Sequence, residues 1–352
     1  MNAVRPILKV VSPGLHTTLQ APGRRGFLDA GVPVSGPLDR TGFCVANVLV
    51  GNAPDAPALE LLVQGPTLEV QADSVRLALA GCNGQIEIGG PRRRRIPAGR
   101  SARAVRGETV RIVSLGDSAC AYLAIEGGMV AQPVLGSVST YVRGGLGGFA
   151  GRALAQGDDI GLLANEVSAR VERALDKPFD IGLAQAIRVV LGPQDDYFAE
   201  DAIQAFLSAE YLVSPQSDRM GFRLDGTSVA HAAGYNIVSD GIVAGSIQVP
   251  GSGLPIVLMA DAQTTGGYPK IGTVISADIP VLARRKPGSA VRFAAISRQE
   301  AEAARRSQES GLAASIRNMT ELNDAGVVDV AALASANLTS GLVSLREDRA
   351  AE

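Results

Sequence analysis

The sequence has no tryptophan, only two histidines and only four lysines. His16 and His231 are far apart along the chain, so neither a Ser-His-Asp relay nor a histidine-rich metal site is well supported. We expect both histidines to be structural and predict no metal site. Proton transfer would therefore fall on carboxylates, lysine or tyrosine. Because lysine is so scarce, Lys270 stands out beside a polar stretch of the chain.

Several nucleotide and nucleophile motifs are also missing. The chain contains neither a G-x-x-x-x-G-K-[ST] phosphate loop nor a G-x-S-x-G nucleophile elbow. The glycine-rich run at 144–151 lacks the spacing and the strand–helix context of a dinucleotide-binding loop. Any nucleotide must be held in another way.

Charge and cysteine usage narrow the class of protein further. The net charge is −2, which favours neither a nucleic acid nor a membrane as partner. The basic run at 92–95 is typical of a solvated loop. Three cysteines without C-x-x-C spacing predict free buried thiols in a reducing compartment. No signal-peptide pattern or membrane-length apolar run is present, and we expect a cytoplasmic protein.

The composition favours a mainly β fold with some α-helix. Hydrophobic residues make up 46% of 352 residues, enough for two modules, and the 41 glycines punctuate short apolar runs. Two β-rich halves, each with one helix, suggest a duplicated module. Strands are predicted at 8–11, 67–70, 75–80, 85–88, 110–114, 121–125, 187–191, 247–249 and 255–260. Helices are predicted at 39–50 and 195–209, a shorter element at 279–284, a strand-free connection at 167–178, and amphipathic helices at 298–308, 312–322 and 328–338.

The chain is organised around a polar stretch that follows the apolar run at 255–260. It supplies a carboxylate, amide, hydroxyls, flexible glycines and an ammonium directly after a buried strand, as a ligand-binding loop would. A tight β-turn with solvated polar groups explains the same residues equally well. The residues are Asp261, Gln263, Thr264, Thr265, Gly266, Gly267, Tyr268 and Lys270.

A second candidate loop, at 13–40, is long and dense in glycine and proline, and it carries Arg24, Ser35 and Asp39. Long structured loops are often functional, although surface turns are the simpler interpretation. Asn83 follows a predicted strand, where a hairpin turn is expected. The segment at 218–224 places charges around a short apolar centre and is explained at least as well by a structural ion pair as by a site.

Seven motifs together resemble the allophanate hydrolase subunit 2 family. They are P-G-x-x-T-T-x-Q-x-x-G-R-x-G at 13–26, G-V-P-V-S-G-x-x-D at 31–39, A-N-x-L-V-G-N at 46–52, R-G-G-x-G-G at 143–148, S-D-R-M-G-F-R-L at 217–224, G-x-I-Q-V-P at 245–250 and D-A-Q-T-T-G-G-Y-P at 261–269. Members of that family include the C subunit of bacterial ATP-dependent 5-oxoprolinase, the regulator KipA and the carboxyltransferase part of urea carboxylase. Ala21 stands where the family usually has an aspartate, so that loop lacks the family's carboxylate here.

The resemblance implies two tandem cyclophilin-like β-barrels, which we place at 1–166 and 179–296. The segment at 297–352 is longer than the family core needs, and its pattern predicts a helical extension. The resemblance also implies a small amide or lactam substrate, a subunit 1-like (KipI-type) partner and a LamB/YcsF-like protein. ATP with Mg would be the cofactor, and a partner could be what binds it. Asp261, Lys270, Arg24 and Asp39 are the expected catalytic residues. The expected substrate-binding residues are Ser35, Asn83, Arg143, Gly144, Gly145, Gln248, Gln263, Thr264, Thr265, Gly266, Gly267 and Tyr268.

The resemblance leaves three hypotheses open. The first is a subunit of an ATP-dependent 5-oxoprolinase-type hydrolase that opens the lactam of 5-oxo-L-proline to glutamate. The second is a biotin-dependent carboxyltransferase component, whose biotin carrier would be separate because no A-M-K-M acceptor sequence occurs here. The third is a non-catalytic, KipA-like regulator. The dense polar stretch argues against the third, since pure interfaces favour aromatic and aliphatic anchors.

Overall fold

The computed structural model describes residues 7–322, which contain 23 strands, four α-helices and two short 3-10 helices. The helices are α1 (Arg40–Leu49), α2 (Glu200–Ser208), α3 (Ile279–Ala283) and α4 (Arg298–Arg317), with 3-10 turns at Val142–Gly144 and Asp195–Tyr197. The strands are β1 (Ile7–Ser12), β2 (His16–Gln20), β3 (Ala58–Leu62), β4 (Thr67–Val70), β5 (Ser74–Ala80), β6 (Gln85–Gly89), β7 (Arg94–Pro97), β8 (Ser101–Val105), β9 (Thr109–Ser114), β10 (Cys120–Ile125), β11 (Asp159–Gly161), β12 (Glu172–Ala174), β13 (Ile187–Leu191), β14 (Tyr211–Val213), β15 (Gly221–Asp225), β16 (Asp240–Gly241), β17 (Ser246–Gln248), β18 (Ile256–Leu258), β19 (Thr265–Gly266), β20 (Lys270–Val274), β21 (Ala290–Val291), β22 (Phe293–Ala295) and β23 (Thr320–Leu322).

Two antiparallel sheets make up the first half of the chain. Their strand orders are β11-β1-β4-β9-β6-β7 and β2-β3-β10-β5-β8. In β10, Ala121, Leu123 and Ile125 point into the core between these sheets, while Tyr122 and Ala124 point to the other face. Every residue of β10 is buried, because α1 covers that other face.

The second half is built on one eight-stranded sheet, ordered β21-β14-β15-β18-β17-β20-β13-β22. All of its pairs are antiparallel except β13 with β22. Its apolar residues share one buried cluster with α1 and with the outer face of β10. The two halves therefore share a hydrophobic core. The prediction of a mainly β fold with two β-rich modules and a following helix is confirmed; the residue boundaries given for the modules stay a prediction.

Helix α1 begins where the sequence predicts. The Asp39 side chain accepts a hydrogen bond from the Gly42 amide (3.0 Å) and caps the helix. A Cβ at position 42 would come within 2.6 Å of both Asp39 and the Gly81 Cα atom, so glycine is needed for this close approach. The strands predicted in both halves are present within one or two residues of their predicted bounds.

The prediction of a strand-free connection at 167–178 is wrong. Strand β12 lies within this segment and pairs with β23. Buried Arg76 holds the segment in place by binding Glu172 (2.9 Å) and Glu126 (2.6 Å). The sequence does not indicate this strand, because its residues are mostly charged and show no strand pattern. Its partner strand lies about 150 residues further along the chain, and no local pattern signals that pairing.

Two helix predictions also need correction. The helix predicted at 312–322 is the end of α4, which stops at Arg317, and β23 follows it. The helix predicted at 195–209 is divided into a 3-10 turn and α2. The helix predicted at 328–338 lies outside the described residues.

Between residues 7 and 322, no helix is both long enough and apolar enough to cross a bilayer.

Candidate functional site

A buried ion-pair network joins the two halves of the chain. Arg219 binds both oxygens of Asp261, through Nε (2.8 Å) and Nη2 (3.1 Å). Its Nη1 donates to Glu60 of β3 in the first half, and its Nη2 also donates to the Gly36 carbonyl (2.8 Å). One guanidinium thus holds a carboxylate from each half.

The carboxylate of Glu60 is almost fully enclosed by hydrogen-bond donors. Its Oε2 accepts from the Tyr122 hydroxyl (2.6 Å) and from the Leu38 amide (2.9 Å). The Tyr122 oxygen in turn accepts from the Asp39 amide (2.8 Å). The side chain of Asp39 binds Arg284 (2.8 Å), which comes from the second half. Every charge here is therefore matched by a partner from another element.

Burial and charge shift the pKa values in this network. Burial raises the pKa of Tyr122 well above its usual range, and the neighbouring Cys120 and Glu60 raise it further. Burial by itself lowers the pKa of Arg219, but the carboxylates of Asp261 and Glu60 outweigh it and raise the pKa. The phenol thus stays protonated and the guanidinium stays charged. The network therefore has a structural role, because it links the two halves of the chain.

Next to this network lies a polar cavity of about 250 Å³. We call it the polar cavity; it is lined by Arg143, Gln216, Asp218, Met220, Gly221, Arg223, Gln248, Ile256, Leu258, Gln263 and Tyr268. Arg143 comes from the 3-10 turn of the first half and pairs with Asp218 of the second half (3.1 Å). Asp218 and Met220 flank Arg219, so one short segment serves both the network and the cavity wall. The cavity therefore opens at the junction of the two halves.

The amide of Gln248 is the most unusual group in this cavity. The residue is 2% exposed, and its Nε2 has no hydrogen-bond partner among residues 7–322. Its Oε1 receives only a long contact from Gln263 Nε2 (3.4 Å). A Cβ on Gly266 would lie 2.3 Å from Gln248 Nε2, so glycine at 266 makes room for this amide. A buried donor without a partner is costly, and a ligand oxygen would satisfy it.

Lys270 lies close to the same region but is already paired. Its backbone lies opposite Gln248 where strands β17 and β20 pair. Its ammonium binds Asp240 (2.7 Å), and the hydrogen bond from Lys270 lowers the pKa of the Asp240 carboxyl. Asp240 pairs through its backbone with Gly266, in the short β16–β19 ribbon, and Gly266 lies against the Gln248 amide. In this conformation Lys270 therefore holds the β16–β19 ribbon in place through Asp240.

The structure brings together only part of the predicted substrate-binding set. Arg143, Gln248, Gln263 and Tyr268 line the polar cavity. Ser35, Gln263 and Thr264 line a second, mainly apolar cavity of about 370 Å³. Thr265 and Gly266 form β19, while Gly144 and Gly145 belong to the turn that carries Arg143. Asn83 lies elsewhere, where it binds Asp117 (2.9 Å) in an exposed loop. The hairpin turn expected there is wrong, because β5 and β6 on either side of the loop belong to different sheets.

The predicted catalytic residues are all engaged by other groups of the chain. Asp261 and Asp39 are held by Arg219 and Arg284, and Lys270 by Asp240. Arg24 is buried and donates to the carbonyls of Val134 (3.2 Å) and Ser139. Their catalytic assignment stays a prediction, and in this conformation all four have structural contacts.

Three residues of the network and its surroundings are missed by sequence reasoning. Tyr122, Arg284 and Asp240 belong to none of the predicted sites, although each binds a predicted residue: Tyr122 and Arg284 bind Asp39, and Asp240 binds Lys270. Tyr122 gives one signal, because it is a hydroxyl-bearing side chain within an otherwise apolar strand. For Arg284 and Asp240 the sequence carries no local signal, since their partners are 245 and 30 residues away.

A mainly β chain with a small polar cavity at the junction of its two halves has the architecture of a domain that handles small molecules. A family model described as carboxyltransferase domain, subdomain A and B, matches residues 30–295. The chain therefore belongs to this carboxyltransferase domain family, and the family resemblance seen in the motifs is confirmed.

Relatives of known name fall into two groups. The chain is 34% identical to the C subunit of 5-oxoprolinase from Escherichia coli (strain K12), over 86% of this chain and 96% of that protein. It is 35% identical to the C subunit of 5-oxoprolinase from Haemophilus influenzae, over 84% and 93% of the two chains. The solved structure of the K. lactis urea amidolyase matches 93% of this chain with a TM-score of 0.80 and 27% identity. This chain spans only 21% of that structure.

Proposed function

We propose that this chain is a subunit of an ATP-dependent 5-oxoprolinase-type hydrolase. With its partners it would open the lactam of 5-oxo-L-proline to glutamate, and it would be active only in the complex. One observation carries the proposal: the chain aligns with 96% of the 5-oxoprolinase C subunit of Escherichia coli at 34% identity. The polar cavity at the junction of the two halves supports it, because its size suits a small polar ring.

The groups around the polar cavity match the chemistry of this substrate. 5-Oxoproline carries a carboxylate and a lactam carbonyl. Arg143 is 61% exposed, and its partner Asp218 is 51% exposed, so the substrate carboxylate can compete for this guanidinium. The unpartnered Gln248 Nε2 is a donor for the lactam oxygen. Tyr268, which is 40% exposed, packs against the side of the lactam ring.

ATP supplies the driving force for ring opening. A lactam is a poor electrophile, so phosphorylation or polarisation of its carbonyl oxygen prepares the carbon for water. One water provides the hydroxyl for the carbonyl carbon and the proton for the nitrogen as the C–N bond breaks, and a second water takes up the phosphoryl group, so that ATP ends as ADP and phosphate. This chain's part is to orient the lactam through Gln248 and Arg143.

We place the nucleotide and its Mg on a partner, or at a surface shared with one. The polar cavity, at about 250 Å³, is smaller than the roughly 300–1,000 Å³ of typical cofactor pockets. The partners would be a subunit 1-like (KipI-type) protein and a LamB/YcsF-like protein. Asp261 and Lys270 would reach the substrate only if complex formation opens their ion pairs. Asp261→Asn and Lys270→Ala test this, because unchanged turnover of the complex would remove both from the catalytic set.

A biotin-dependent carboxyltransferase component is the second candidate. The matching family model is a carboxyltransferase domain, and the K. lactis urea amidolyase superposes over 93% of the chain. In that case biotin would arrive on a separate carrier, and urea would be the substrate class.

The deciding experiment is a reconstitution. Glutamate release from 5-oxoproline is measured with this chain alone, with its purified partners alone, and with the full mixture, each with and without ATP. We expect turnover only in the full mixture with ATP. An assembled complex that releases no glutamate, but carboxylates urea when a biotinylated carrier is added, would replace the first candidate with the second.

A further inference from the structure

The second cavity, of about 370 Å³, takes no part in the proposed reaction. We call it the Ser35 cavity. Its walls come from the loop before α1, from the segments before β17 and after β18, and from α3 and α4. Leu28 and Val243 are exposed at 48% and 62%. Its volume is within the range of small-molecule sites, and its surface is mostly apolar.

Ser35 is the most constrained residue of this cavity. Its φ is 58°, in the left-handed region that residues with a Cβ rarely occupy. Its amide donates to the Ala260 carbonyl (3.1 Å), which fixes the residue against the segment that leads to Asp261. The side chain is 8% exposed, and its hydroxyl has no partner in the described part of the chain. A buried hydroxyl in a cavity wall, without a partner, is positioned for a ligand.

The charge of the cavity wall has one sign. Its lining contains Arg40 and Arg305 and no aspartate or glutamate. Arg305 is held by Glu309 (2.7 Å) on the same helix. Arg40, the first residue of α1, makes no ion pair with any carboxylate among residues 7–322, and its side chain is exposed. The wall therefore favours an anion over a cation.

We propose that the Ser35 cavity is a second ligand site, which takes a small monocarboxylate with a branched or cyclic apolar body. The apolar body packs on Pro33, Ile242 and Met259. The carboxylate accepts a hydrogen bond from the Ser35 hydroxyl and is balanced by Arg40. Gln263 lines this cavity and the polar cavity, so the two sites have one wall residue in common. The proposal does not depend on the lactam reaction, because it concerns binding alone.

The probe is 4-methylpentanoate, titrated into the full chain by calorimetry, with 4-methylpentan-1-ol as its uncharged counterpart. We expect a Kd on the order of 1 mM for the acid, as for other ligands of this size. The alcohol should bind at least about tenfold more weakly. Ser35→Gly keeps the left-handed backbone and removes the hydroxyl, and it should weaken acid binding about five- to tenfold.

Two variants separate loss of the site from loss of the fold. Ala244→Phe places a ring at an exposed position of the cavity wall and should abolish binding, whereas Ala53→Phe, also exposed but outside the cavity, should leave it unchanged. Arg143→Gln in the polar cavity should not alter it either. Equal binding of the acid and the alcohol, or acid binding that survives both Ser35→Gly and Ala244→Phe, would overturn the proposal. So would the absence of any binding heat at about ten times the expected Kd.

Discussion

Arg219 binds Asp261 through two parallel hydrogen bonds, from Nε (2.8 Å) and Nη2 (3.1 Å), and its Nη1 donates to Glu60. Asp261 and Glu60 belong to different halves of the chain, so this guanidinium fixes the relative position of the halves. The polar cavity opens beside it, with Arg143 on one side and Gln248 on the other. The geometry of the cavity therefore depends on a buried charge that does not itself line the cavity.

Removal of Arg219 should be strongly destabilising. In Arg219→Ala, two buried carboxylates lose their partner, and the free energy of unfolding should fall by about 3–5 kcal/mol. Urea denaturation followed by circular dichroism measures this. The matched control is Arg292→Ala, which breaks an exposed pair with Glu210 and should cost less than about 1 kcal/mol. Equal losses in the two variants would show that the network does not hold the halves together.

Gly266 should be essential for the position of Gln248. In Gly266→Ala the new methyl would lie 2.3 Å from Gln248 Nε2 and 2.6 Å from Ile242 Cδ1, so both side chains must move. We expect a stability loss of about 1–3 kcal/mol and a marked rise in KM for the lactam. The control is Gly241→Ala on the partner strand β16, where a methyl meets nothing within 4 Å. Similar kinetics in the two variants would argue against a substrate contact at Gln248.

The Lys270–Asp240 pair predicts a defined pH dependence. The hydrogen bond from Lys270 lowers the folded-state pKa of Asp240 below its ordinary value of 3.8. A lowered carboxyl pKa stabilises the fold above the unfolded-state value, and this contribution is lost as the pH falls through the folded-state value. The relevant window therefore lies below pH 3.8. Because the Asp240 carboxylate is exposed, the effect on overall stability should be small.

An NMR titration of Asp240 tests this directly. In Lys270→Met the pKa of Asp240 should rise toward its ordinary value, because the first and largest cause of its shift is removed. Arg106→Gln, which removes the partner of Asp73 instead, should leave Asp240 unchanged. A pKa of Asp240 that is the same in the wild type and Lys270→Met would assign the shift to the Gly241 amide and Gln194 instead.

Much of the fold could be predicted from local pattern, and the site only in part. The strands β4 and β5 follow from apolar runs, and the N-cap of α1 from Asp39, because these depend on neighbours in sequence. The pairing of β12 with β23 and the binding of Asp39 by Arg284 could not be predicted, since both join distant parts of the chain. The role of Asp261 also depends on a residue distant in sequence. Its carboxylate suggested a catalytic residue, whereas its ion pair with Arg219 makes it a structural carboxylate in this conformation.

Lactam binding in the polar cavity is tested most directly by one kinetic comparison. Glutamate release by the assembled complex is measured over a range of 5-oxoproline concentrations for the wild type, Arg143→Gln and Arg152→Gln. Arg152 also forms an exposed ion pair, with Asp158, but does not line the cavity. Loss of a charged hydrogen bond to the substrate carboxylate predicts that KM rises roughly 10- to 100-fold in Arg143→Gln alone. Unchanged KM in Arg143→Gln, in a complex that assembles normally, would contradict binding of the lactam at this cavity.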